Sequence, residues 1–183
     1  DVVFQNVSFR YTEEKSVLSD INLHAQAGQT IALVGPTGAG KTTIINVLTR
    51  FYEIHAGEIL IDGVPLRQLD KDQLRSQLGI VLQDSHLFSD SIYENIRYGR
   101  LDASKEEIIA AAQAANAHRF IMELPQQYDT VLAAEGSNLS QGQRQLITIA
   151  RALLANPSIL ILDEATSNID TRTEMHIQQA IKK

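Results

Sequence analysis

Strand-like and helix-like segments alternate along this chain, and the alternation predicts an α/β fold with a parallel sheet at its core. Three observations carry that expectation. Two short runs, TIALVG (30–35) and SILIL (158–162), are continuously apolar after their first residue, the pattern of strands covered on both faces. A Gly-rich turn, GPTGAGKT (35–42), joins the first of them to an amphipathic helix. From Asp84 to about Asn156 the pattern is helical, as though a helical lobe had been inserted before the sheet resumes.

Each element has its own justification. VVFQNVSFRY (2–11) and INLHAQ (21–26) read as opening strands, rich in β-branched and aromatic residues. TIALVG follows as a strand buried on both faces. The helix after the Gly-rich turn carries the stripe Ile44, Ile45, Val47, Leu48 and Phe51. GEILIDG (57–63) and LGIVLQ (78–83) are further strands. Ser104 with Glu107 predicts a capping box ahead of IIAAAQAA. Leu146, Ile147, Ala150, Leu153 and Leu154 give a later helix one buried face. Pro157 ends the helical stretch, and SILILDE (158–164) returns to a strand. The chain thus divides into 1–83, 84–156 and 157–183: core with a β subdomain, helical subdomain, and return to core.

Composition narrows the functions. A chain of 183 residues can bury one real core. Twenty-two acidic against sixteen basic residues give a net charge of −6, with no basic run to bind nucleic acid. The absence of cysteine excludes disulfides and thiolate metal sites. No apolar run reaches the roughly eighteen residues that span a bilayer, so this stretch is expected to be soluble. It starts at Asp1 without a leader and stops at Lys183 inside a helical pattern, as an excised piece would.

GPTGAGKT has the form G-x-x-x-x-G-K-[ST], the phosphate-binding P-loop or Walker A pattern. Gly35, Gly38 and Gly40 let the backbone curl until successive N–H groups point at one anion. Lys41 places a point charge by the β- and γ-phosphates, and Thr42 offers a hydroxyl to Mg²⁺. An acidic companion closes the strand SILILDE: Asp163 suits the Mg²⁺ shell, and Glu164 suits orienting or deprotonating a water for in-line attack. Taken by themselves the two carboxylates would equally suit a solvated strand end or a helix cap; beside the Gly-rich loop they gain their chemistry. A second anion site is suggested by SNLSQGQRQLITIARAL (137–153), where a small polar cluster runs straight into a helix with free N–H groups at its start.

With these residues in place the chain resembles the nucleotide-binding domain of ATP-binding cassette (ABC) transporters of the exporter type. The most specific element is Leu139-Ser140-Gln141-Gly142-Gln143, similar to the family signature LSGGQ except at Gln141. The resemblance implies a P-loop NTPase fold, with a RecA-like parallel sheet core, an N-terminal antiparallel β subdomain and an inserted α-helical subdomain. It implies an ATPase that uses ATP and Mg²⁺. The nucleotide would be held by Tyr11 and by Gly35, Pro36, Thr37, Gly38, Ala39, Gly40, Lys41, Thr42 and Thr43. Ser140, Gln141, Gly142 and Gln143 would close over the ATP of a second nucleotide-binding domain in a head-to-tail dimer. Tyr11 would stack on adenine. Gln83 matches the Q-loop, contacting Mg²⁺ or the attacking water, so Thr42, Gln83 and Asp163 form the implied metal set. Lys41, Gln83 and Glu164 form the catalytic one. Leu87–Ile96 resembles the segment facing the transmembrane domains, and Ser167-Asn168-Ile169-Asp170 the D-loop. The assembly would lie at the cytoplasmic face of the cell membrane.

Departures from the family pattern matter as well. The switch histidine would fall beyond Lys183, so this stretch alone is expected to be a weak or inactive ATPase. His24, His55, His86, His118 and His176 are expected to be structural or surface residues, without metal-ligand spacing. Ala134 stands where exporters carry a glutamate, followed by Glu135-Gly136. Gln141 replaces a glycine while Glu164 is intact, which suggests the competent half of a heterodimer. Two other classes fit less well: a soluble ABC ATPase, disfavoured by the short acidic chain without heptads, and a regulatory module, disfavoured by intact Lys41, Asp163 and Glu164.

Overall fold

A computed structural model describes residues 1–36, 38–82, 84, 86–163 and 170–181, with the side chains of 180 and 181 left aside. The described chain forms two compact units, Asp1–Ser76 and Gln77–Lys183.

The first unit is built on an antiparallel sheet of β1 (Val2–Thr12), β2 (Lys15–Ala25), β3 (Ala56–Ile61) and β4 (Val64–Pro65), in the order β2-β1-β3-β4. Strands β1 and β2 form a hairpin with Thr12 opposite Lys15. The alternation in β1 changes phase: Phe4, Val7 and Phe9 are the buried positions, so the pattern slips between Phe4 and Val7. A bulge at Asn6, in the left-handed region at φ 50°, causes the slip. Opposite the bulge lies Gly57 at φ 81°, where a Cβ would come within 2.3 Å of the Asn6 carbonyl oxygen. Only glycine fits that approach. Helix α1 (Lys41–Leu48) supplies Val47 and Leu48 to the core that Leu18 and Ile59 complete, and α2 (Lys71–Ser76) buries Leu74.

In this unit one expectation is corrected. Residues 30–36 form no strand, and Val34 is 93% exposed. An all-apolar run carries no face information and becomes a strand only where parallel neighbours flank it. The sheet of its own unit is antiparallel throughout.

In the second unit β5 (Leu78–Val81) and β6 (Ile159–Leu162) pair in parallel, Leu78 with Ile159 through Val81 with Leu162. Around them lie α3 (Ile92–Arg97), α4 (Lys105–Ala114), α5 (His118–Glu123), α6 (Gln141–Ala155) and α7 (Thr171–Ile181). The core joins Ile92, Ile96, Ile108, Ile121, Ile147 and Ile149 with Ala112, Ala115 and Ala150. The alanines face other helices, so helix axes can approach closely without leaving voids. The expected Ser104–Glu107 capping box is present, with the Ser104 N–H donating to Glu107 Oε2 at 2.8 Å and the Glu107 N–H to Ser104 Oγ at 3.2 Å. Helix α6 stops at Asn156, left-handed at φ 49°, and Pro157 follows. Pro157 in turn explains Gly79 in β5, where a Cβ would lie 2.6 Å from the proline ring.

Candidate functional site

The Gly-rich loop opens α1 without any side-chain cap. Gly38 (φ 83°) and Gly40 (φ 99°) take up the left-handed turns, and the Ala39 N–H donates to the Pro36 carbonyl at 3.1 Å. Gly40 is pressed on β2: a Cβ there would lie 2.9 Å from Leu18 Cδ2 and 3.3 Å from the Val17 carbonyl oxygen. Lys41 folds its ammonium back to donate to the Gly35 carbonyl and, at 3.4 Å, to that of Pro36. Thr42 is exposed, and its hydroxyl has no partner among the described residues; Thr43 is buried. Thr37 lies outside the described residues. The result is a helix start with its N–H groups open, one cation over it and one unengaged hydroxyl. Those are the donors an anion takes.

Tyr11, from the end of β1, reaches the same helix. Its hydroxyl shares a hydrogen bond with Thr43 Oγ1 at 3.1 Å and accepts one from Asn46 Nδ2 at 3.1 Å. Its ring stands edge-on to Phe9 (centroids 4.8 Å apart) and Tyr52 (5.0 Å). Half of Tyr11 stays exposed, so an aromatic surface lies beside the phosphate-type loop.

In the second unit Asp163 follows β6 directly, and its N–H donates to the Val81 carbonyl at 2.8 Å. It is half-buried, at the C-terminal end of paired parallel strands, where ligand crevices of α/β sheets form. Gln83 and Glu164–Ile169 lie outside the described residues, so the Q-loop residue, the acidic partner of Asp163 and most of the D-loop stretch do too. Asp170 caps α7: Thr173 donates its N–H to Oδ1 at 3.0 Å and its hydroxyl to Oδ2 at 3.1 Å. These bonds hold the Asp170 carboxyl below the usual carboxylate range.

The start of α6 is differently made. Ser140 is its N-cap and Gln143 completes a capping box: the Gln143 N–H donates to Ser140 Oγ (3.2 Å), and the Ser140 N–H to Gln143 Oε1 (3.1 Å). Buried Leu139 anchors the turn, and Arg144 donates to the Leu139 carbonyl at 3.0 Å. Gln141 is exposed, while Gly142 is half-buried.

A model of the ABC transporter family matches residues 18–167, most of the chain. The chain belongs to the ABC transporter family. It is 58% identical over 182 residues to the uncharacterized ABC transporter ATP-binding protein YfiC of Bacillus subtilis, covering 100% of this chain and 30% of that protein. A fatty acid ABC transporter ATP-binding/permease protein of Mycobacterium tuberculosis is 52% identical, covering 100% and 29%. The ATP-dependent lipid A-core flippase of Syntrophus aciditrophicus is 51% identical, covering 100% and 30%. Among solved structures, a bacterial Atm1-family ABC exporter with ATP bound superposes with a TM-score of 0.93 at 47% identity, covering 99% of this chain and 32% of that one. The chain therefore spans about a third of the length of the relatives it matches.

Two polar residues of this ABC domain, buried Asn95 and half-buried Arg151, escape motif reading. Asn95 of α3 is fully buried and donates through Nδ2 to the carbonyls of Phe88 and Ser91, both at 3.0 Å. Its Oδ1 accepts from the Phe88 N–H (2.8 Å) and from Arg151 of α6 (3.0 Å). Arg151 also donates to the carbonyls of Asn95 and His86, at 2.8 and 2.9 Å, and its guanidinium lies 5.2 Å from the Phe88 ring. Burial lowers the Arg151 pKa, partly offset by Tyr98. Together they tie the segment after Gln83 to the helix that starts at Ser140. Four histidine rings have protein partners: His55 packs on Phe9, His24 reaches Asp1, His118 bonds the Tyr128 hydroxyl at 2.8 Å, and His176 reaches the Gln113 carbonyl, while His86 is exposed. Burial pushes that tyrosine up to about 12.

Proposed function

We propose that this chain is the ATP-binding and ATP-hydrolysing part of an ABC exporter. The observation that carries it is the start of α1, uncapped and open, with the Lys41 ammonium over the loop and Tyr11 beside it. Gly35 to Thr43 bind the triphosphate, and Tyr11 receives the adenine. We assign Thr42, Gln83 and Asp163 to hold Mg²⁺: the Thr42 hydroxyl in the first unit and the Asp163 carboxylate in the second are oxygen donors of the kind that ion takes. Mg²⁺ held by these residues would neutralise charge on the phosphates. Glu164 orients the attacking water. Lys41 stabilises the developing charge on the transferred phosphoryl group.

The second helix start serves a partner's nucleotide. Ser140, Gln141, Gly142 and Gln143 face the ATP of a second nucleotide-binding domain, head to tail. The dimer closes because ATP binds the closed state better, and hydrolysis removes that preference. Transmembrane domains, in keeping with a relative named an ATP-binding/permease protein, convert the cycle into export at the cytoplasmic face of the membrane. Residues 1–83 and 157–183 then act as the catalytic core and 84–156 as the lobe presenting the signature. Gln141 with intact Glu164 points to the competent half of a heterodimer.

Single-turnover cleavage of Mg-ATP by the full-length protein tests the reading, with and without Glu164→Gln. Cleavage that stops in the variant while ATP binding persists is expected. Binding without Glu164-dependent cleavage would instead make the chain a nucleotide-binding module. An ATP-dependent dimer of Glu164→Gln on its own in sedimentation velocity would argue against the heterodimer.

A further inference from the structure

We propose that Asn46 is a positioning residue for the nucleotide base, acting through Tyr11 and Tyr52; this rests on Tyr11 being the adenine wall. Asn46 lies on α1 three residues after Thr43 and so on the same helix face. Its two polar ends do different things. The side-chain Nδ2 donates to the Tyr11 hydroxyl at 3.1 Å. The backbone carbonyl accepts the N–H of Phe51 at 3.0 Å and of Tyr52 at 3.4 Å, where the chain turns out of the helix. One residue thereby fixes both members of the edge-on Tyr11–Tyr52 pair.

A tyrosine half exposed at the end of a hairpin has rotamer freedom to lose when a base stacks on it. Tyr11 has already lost it. Its hydroxyl is held by Asn46 and Thr43 from α1, and its ring is held edge-on by Phe9 and Tyr52. Stacking then needs no further ordering of the wall, the usual route by which preorganisation raises affinity. The hydroxyl also sets the spacing between base and phosphates, because Thr43, its other partner, belongs to the loop-helix motif itself. Lys41 and the loop glycines hold the phosphates without Asn46, so loss of its side chain is felt by the base alone.

The test compares Mg-ATP with Mg-tripolyphosphate, which carries the phosphates without the base, in equilibrium titrations of the wild-type chain, Asn46→Ala, Tyr11→Phe and the double variant. Asn46→Ala keeps the backbone carbonyl and so keeps Tyr52 in place; Tyr11→Phe keeps the ring and removes only the hydroxyl. Each single variant is expected to weaken ATP about three- to tenfold, the scale of one hydrogen bond, and to leave tripolyphosphate within about twofold. The double variant is expected to be no weaker than either single one, since both remove the same link. Equal weakening of both ligands would show Asn46 acting on the phosphate loop, and independent, additive losses would show no link through Tyr11; either overturns the proposal. So would ATP affinity unchanged in Asn46→Ala. A wild-type chain that binds tripolyphosphate and ATP equally well, or neither, would instead remove the underlying reading of Tyr11 as the base wall.

Discussion

Helices α1 and α6 begin in opposite ways. At α1 the N-cap is Gly40, left-handed and without a side chain, and no side chain accepts the first N–H groups. At α6 Ser140 and Gln143 satisfy each other reciprocally. A side-chain cap contributes about 1 kcal/mol to a helix, so the start of α1 gives up stability that the start of α6 keeps. On the function proposed above, the difference separates a site that binds by itself from one that adds to a ligand already held. The open start needs an anion to complete its hydrogen bonds. The self-capped start keeps its shape alone and offers what the box leaves over: the proton of the Ser140 hydroxyl and the N–H groups of Gln141 and Gly142.

The comparison breaks first at Lys41. Lys41→Ala is expected to weaken ATP by about 3 kcal/mol, more than a hundredfold, while leaving the folded baseline intact, as read by calorimetric titration. Micromolar ATP binding retained in that variant would remove the loop from the site. Next comes Gly40→Ala, which forces a Cβ into the left-handed region and within 2.9 Å of Leu18. A loss of about 1–3 kcal/mol in urea unfolding is expected.

Ser140→Ala sharpens the contrast. It should cost about 1 kcal/mol in the same assay, a loss for which α1 has no equivalent cap to remove.

The smallest effect concerns two capping boxes. That of α4 uses Glu107, whose carboxyl is held below the usual carboxylate range by the Ser104 N–H first and then by the Arg100 guanidinium. A folded pKa lowered in this way gives stability that is complete above the unfolded value and lost as pH falls through the folded one. The box of α6 uses Gln143, which does not titrate. Protection of the Ser104 amide, which donates to the Glu107 carboxylate, should therefore fall as pH drops through the lowered Glu107 pKa, with no matching loss at the Ser140 amide, whose acceptor is the Gln143 amide oxygen.

What the sequence made legible follows from locality. GPTGAGKT could be read because its residue types do their chemistry at fixed spacing, and Ser104–Glu107 because a capping box is three residues long. Ser140–Gln143 obeys the same three-residue spacing, but its similarity to the signature points to a partner's nucleotide and not to a cap. TIALVG forms no strand although its pattern predicts one, because a continuous apolar run names no neighbour. Asn95 and Arg151, 56 residues apart, carry no pattern at all, since only the fold brings their polar atoms together. Asn46 gave one faint signal, a polar residue inside the apolar stripe of Ile44, Ile45, Val47 and Leu48.

The most direct measurement follows the backbone amides of Gly38, Gly40, Lys41 and Thr42 against those of Gln141 and Gly142 by NMR while Mg-ATP is added to the chain at a concentration where it is monomeric. The loop amides are expected to shift and saturate first, with the α6 amides unmoved until a dimer forms. Shifts at Gln141 and Gly142 that saturate together with the loop, or a loop that does not respond, would contradict the distinction between the open and the self-capped helix start.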